Sequence, residues 1–184
     1  MYKYSTIVFV LLLLKIINCV AVFDPQNQLA LVNQIRSDAG KPKLISNDCI
    51  MKAAQYQSDY QAKISESTHD SPYGGLYDRL TPFGISGMGG VAENVAAGYS
   101  SDASVVDGWK NSPGHYQNMI GDYVWIGMGM ALKDGTPYWT QQFVGGTNLT
   151  CVLPTDPPVI DSSNIISQPI LLIFIISSIL LILM

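Results

Sequence analysis

The chain contains two histidines, His69 and His115, and both stand in stretches dense in Gly, Pro and Ser rather than on an apolar helical face. Glu93 lies between them in a mainly apolar segment, where a carboxylate is costly to bury without a partner. Two imidazoles and a carboxylate make His69, Glu93 and His115 a candidate divalent metal set, with zinc or another divalent cation as the ion. Around zinc they could activate water. Ser112, three residues before His115, adds a hydroxyl, so that Ser112, His115 and Glu93 have the residue types of a serine hydrolase. No G-x-S-x-G nucleophile elbow occurs in the chain. The alternative is that these residues are ordinary loop and surface groups with no shared role.

Local signals mark the elements that must position them. Asp24-Pro25 reads as an N-cap followed by proline at the first helical position. Leu29, Val32 and Ile35 recur at helical spacing until Gly40 ends the run. Ser46 is the expected cap of a second helix that reaches about Ile64, with Asp48 in its first turn. Residues 65–90 form a Ser-, Gly- and Pro-rich stretch with short helical character at 76–83. Arg79 falls there and reads as a surface or loop-bridging residue. Residues 91–98 are a short apolar segment. Ser101 or Asp102 caps a further helix, Pro113-Gly114 interrupts it, and residues 115–120 make another turn or two.

The period then changes. Gly127 and Gly129 alternate with Ile126, Met128 and Met130, and Lys133-Asp134-Gly135 signals a turn before 136–144. This predicts a β-hairpin, with the glycines allowing close packing on a helix. Asn94 and Asn118 are expected to hydrogen-bond backbone at turns and so hold Glu93 and His115. Helices first and a hairpin last point to an α+β or a layered α/β/α domain.

Both ends differ from this middle. Lys3, the apolar run at 7–14 and the small residues Cys19 and Ala21 predict a signal peptide over 1–21. Residues 165–184 carry no charge, and a Pro- and Ser-containing stalk, 153–164, precedes them. Small residues, a spacer and an apolar tail are the pattern of a glycosylphosphatidylinositol signal, with Ser162 or Ser163 as the attachment residue. The rival is a C-terminal transmembrane helix, since 165–184 is just long enough to span. In either case the tail brings the protein to a membrane. Residues 22–152 remain as one domain's worth of chain. In the secretory pathway, removal of Cys19 with the signal leaves Cys49 and Cys151 as a disulfide pair, the alternative being two buried thiols. Asn148-Leu149-Thr150 is an N-glycosylation acceptor. The net charge of −4 offers no basic footprint for nucleic acid.

Four ordered motifs resemble one family. Glu93-Asn94-Val95-Ala96, after Gly90-Val91-Ala92, is similar to the G-E-N-[IL]-A element of the CAP superfamily. Trp109 to Met119, reading W-K-N-S-P-G-H-Y-Q-N-M, resembles its W-x-x-S-x-G-H-x-x-N-[IM] element in the form common in bacteria and some fungi and protists. Ile126-Gly127-Met128-Gly129 with Tyr138-Trp139-Thr140-Gln141-Gln142-Phe143 resembles the terminal hairpin, and Thr68-His69-Asp70-Ser71 resembles the segment carrying the first family histidine. The resemblance implies a three-layer α-β-α sandwich with a terminal antiparallel hairpin. It also implies a cleft of two histidines and two acidic residues able to bind a divalent cation, here His69, Glu93 and His115. The family's second acidic position, three residues after the Trp, is Ser112 in this chain.

The resemblance further implies an extracellular binding module for a sterol, fatty acid or other small lipid. Met88, Met119, Met128 and Met130 with Tyr73, Tyr77 and Tyr116 suit an apolar ligand, although the same residues serve equally as core. A second reading is a surface protein whose cleft is vestigial and whose loops bind a cell-surface or wall component. A third is a metal-dependent or Ser/His/Glu hydrolase.

Overall fold

Asp24 and Pro25 open α1 (Pro25–Asp38) in the computed structural model, which describes residues 21–153 and Thr155. The Asp24 carboxylate accepts from the Gln26 amide at 2.9 Å, and proline takes a position whose N–H would have no helical partner. The signal peptide up to residue 20, the attachment residues Ser162 and Ser163 and the apolar tail lie outside the described residues. No helix among the described residues is long and apolar enough to cross a membrane.

A short strand, β1 (Ile45–Ser46), precedes α2 (Asp48–Ile64). The cap of α2 is Asn47, whose Oδ1 accepts from the amides of Cys49 and Ile50 at 3.0 and 3.2 Å. The expected cap, Ser46, is displaced from that role because it pairs in β1 with Ile126, leaving Asn47 as the last extended residue before the helix. The chain continues through α3 (Leu76–Leu80), a 3₁₀ turn at Thr81–Phe83, β2 (Ile85–Ser86) and β3 (Val91–Ala97). It then forms α4 (Asp102–Lys110), α5 (Pro113–Ile120), β4 (Trp125–Lys133), β5 (Thr136–Val144) and β6 (Thr150–Cys151). Ser101 caps α4 through a hydrogen bond from Ser104 N.

The main sheet runs β1-β4-β5-β3, parallel between β1 and β4 and antiparallel elsewhere. Asp134 and Gly135 form the hairpin loop, both with positive φ (50° and 80°), as a tight turn matching the strand twist requires. Strand alternation sends Ile126 and Met128 to one face and Gly127 and Gly129 to the other. The first face packs with Trp139 and Phe143 against Val32 and Ile35 of α1, Val105, Val106 and Trp109 of α4, and Met119 of α5. On the second face α2 lies so close that a Cβ on Gly127 would stand 2.2 Å from the Ile50 carbonyl carbon, and one on Gly129 2.5 Å from Gln55 Cα. Helices cover both faces, which is the expected α-β-α sandwich.

Cys49, at the start of α2, is bonded to Cys151 in β6, with Cα atoms 5.8 Å apart. The bridge closes a span of 102 residues and fastens the β2–β6 pair to the sandwich.

Candidate functional site

Glu93 lies on β3, an edge strand of the main sheet. Its side chain is 2% exposed and faces the α2 side, where its register partner on β5 is Gln142. Arg79 Nη2 donates to Oε1 and Nη1 to Oε2, both at 3.0 Å, in a two-pronged contact. Gln142 Nε2 donates to Oε2 at 2.9 Å, and His69 Nδ1 lies 2.9 Å from Oε1. An ionised carboxylate only accepts, so His69 Nδ1 bears a proton, and Nε2 is the ring nitrogen that Glu93 does not engage.

Arg79, expected as a surface or loop-bridging residue, is 4% exposed and is the counter-charge of Glu93. The reason is distance: α3 and the turn after it fold back on β3 and bring a guanidinium over the buried carboxylate. A Glu in an apolar strand signals that some partner must exist, but the sequence does not say which cation it is.

His69 is held from α2. Gln57 Nε2 donates to the carbonyls of Thr68 and Asp70, at 3.0 and 2.9 Å, and so brackets the histidine on both sides. Gln61 Oε1 accepts from Thr68 N at 3.2 Å. Both glutamines are buried, whereas the His69 side chain is 58% exposed. In the sequence Gln57 stands out only as a helix marker. The signal it carries is a glutamine on the buried face of a helix, where a polar group needs a partner.

His115 sits in the first turn of α5, whose N-cap is Ser112. Asn94 Nδ2 donates to the His115 carbonyl at 3.2 Å, while Asn118 Nδ2 donates to the Glu93 carbonyl at 3.1 Å and to Asn94 Oδ1 at 2.9 Å. The two asparagines do hold Glu93 and His115 through backbone contacts, from a strand and a helix rather than from turns. Burial holds the His115 imidazole below the usual histidine range, and the nearby His69 adds to the effect. The network continues inward. Asn94 Nδ2 donates to Gln141 Oε1 at 3.4 Å, Gln141 Nε2 to Gln28 Oε1 at 3.1 Å, and Gln28 Nε2 to Asp102 Oδ1 at 3.1 Å.

Residues 29–143 match the family model of CAP, the cysteine-rich secretory protein family. The chain belongs to the CAP family. YkwD, an uncharacterized protein of Bacillus subtilis, is 34% identical over 117 residues, 62% of this chain and 44% of that protein. An extracellular SCP-domain protein of Bacillus anthracis superposes with a TM-score of 0.58 at 31% identity, covering 66% of this chain and 40% of its own. An outer surface protein of Borrelia burgdorferi gives a TM-score of 0.61 at 19% identity, over 66% of this chain and 92% of its own, and shares the fold. This chain spans less than half the length of the two Bacillus proteins.

In this CAP domain, edge strand β3 draws together groups from both helical layers: His69 and Arg79 from the α2 side, His115 from α5. The constellation does not form a serine-hydrolase relay. Glu93 orients His69, whereas Ser112 neighbours His115, and the Ser112 hydroxyl has no hydrogen bond to that histidine among the described residues. Nor does the donor set favour zinc at His69, Glu93 and His115. Both Glu93 oxygens already accept hydrogen bonds, and among the described residues no group of three His, Cys, Asp or Glu side chains is placed to hold a metal ion. Arg79 and Glu93 neutralise each other, so a divalent ion there would find no net negative charge to hold it.

Away from these residues, an open groove of about 440 Å³ runs along α1, lined by Gln26, Leu29, Asn33 and Lys43 among others. His69, Glu93, Ser112 and His115 do not line it. Asn148, the expected glycan acceptor, is exposed in the bend before β6.

Proposed function

We propose that this CAP domain acts outside the cell as a non-catalytic binding module, tethered by its C-terminal tail, with the edge of β3 at His69, Glu93 and His115 as its recognition site. The observation that carries the reading is the state of Glu93. Its carboxylate is fully engaged in orienting neighbours, which leaves it neither a general base nor a free ligand, while His69 stays exposed above it.

The ligand class is a small lipid: a sterol or a fatty acid. Tyr73 (37% exposed), in the loop after His69, and Tyr77 (48% exposed), in the first turn of α3, offer aromatic surface. Tyr73 packs on Tyr56 with ring centroids 5.3 Å apart, so the surface is held in place. His69 Nε2 is left to meet a hydroxyl head group. An extracellular and a surface-exposed protein among the structural relatives support the location.

Native mass spectrometry of the secreted protein, made in a eukaryotic host and presented with sterols and fatty acids, tests this. A stoichiometric adduct that competing lipid displaces and that His69→Ala weakens is the expected result. A protein that takes up neither lipid class would sink the reading and leave a surface partner contacted through the loops.

A further inference from the structure

Arg79 has no part in recognition as proposed above, yet it is among the most deeply buried charged groups of the molecule. It is carried by α3, a five-residue helix with Gly75 at its N-cap and no side-chain cap. Its guanidinium meets Glu93 with two parallel hydrogen bonds, the geometry in which arginine binds a carboxylate most firmly.

A buried carboxylate requires compensation, and a metal ion or a cationic side chain can supply it. The two compete at the same two oxygens. A metal needs lone pairs that the fork has taken, and its charge would stand against the guanidinium with little solvent between them. Gln142 occupies a third acceptor direction, and His69 spends Nδ1 on a fourth. Ser112, at the neighbouring N-cap, brings no second negative charge. Arg79 and Glu93 cancel each other, so a divalent ion bound between neutral imidazoles would leave its whole charge uncompensated at a half-buried place.

We infer that Arg79 is the resident cation of this cleft, occupying at Glu93 the place a divalent metal would take, so that the protein takes up no zinc there. Without the guanidinium, Glu93 is a buried carboxylate whose side-chain partners are Gln142 and His69.

The full chain, purified in detergent and dialysed against zinc, provides the test through its metal content and its melting temperature with and without the ion. The wild type is expected to retain no zinc and to melt at an unchanged temperature. Arg79→Met is expected to melt below the wild type, because the buried Glu93 has lost its counter-charge. The double variant Arg79→Met, Glu93→Gln removes both charges and is expected to recover most of that loss. Stoichiometric zinc on the wild type that His69→Ala abolishes would overturn the inference. So would an Arg79→Met protein that melts with the wild type, or a double variant no more stable than Arg79→Met.

Discussion

Glu93→Gln keeps the size of the side chain and removes its charge, leaving the Arg79 guanidinium buried against a neutral amide. Breaking a buried pair by neutralising one partner costs about 3–5 kcal/mol, because the remaining charge has lost its counter-ion and cannot reach water. The described domain, residues 21–153, has about 130 residues. At roughly 2.1 cal/mol/K per residue, its unfolding entropy is about 0.28 kcal/mol/K, so the melting temperature should fall by about 11–18 °C. Calorimetry at neutral pH measures this directly, with urea denaturation as an independent reading. The double variant with Arg79→Met should recover most of the loss, since two apolar or neutral groups of similar volume leave no orphaned charge. A loss below about 1 kcal/mol for Glu93→Gln would refute the account of Arg79 and Glu93 as a buried, mutually dependent pair.

Gly129→Ala would place a methyl group 2.5 Å from Gln55 Cα and N, both backbone atoms of α2, so the helix must move. We expect a cost of about 1–3 kcal/mol in urea denaturation. Replacing Cys49 and Cys151 by serine opens a span of 102 residues and should lower stability by about 4–5 kcal/mol, measured against the oxidised wild type. His115 has a folded pKa below its unfolded value, so its neutral form is favoured by the fold. Stability should hold above about pH 6.5 and fall as pH drops through the lower folded pKa, and this part of the slope should vanish in His115→Gln. Gln57→Ala removes the clasp on both sides of His69 and should broaden or shift that imidazole's NMR signal while leaving the His115 signal in place.

The chain itself determined the features that are local in physics. Asp24-Pro25 marks a helix start because capping and proline geometry depend on one or two residues. Asp134-Gly135 marks the hairpin because that turn needs two positive φ values. Gly127 and Gly129 foretold a close helix because period-two spacing puts both on one face. The motif order was enough to place the family. Tertiary structure decided what depends on distance through space. Ser46 lost its cap to Asn47 because a strand some 80 residues later claimed it. Ten Lys and Arg residues were available as the partner of Glu93, and nothing in their order singles out Arg79. The cost of burying a carboxylate could be read from one residue in an apolar strand. The cation that offsets it was chosen by the packing of α3 against β3, and with it the difference between a metal site and the salt bridge found there.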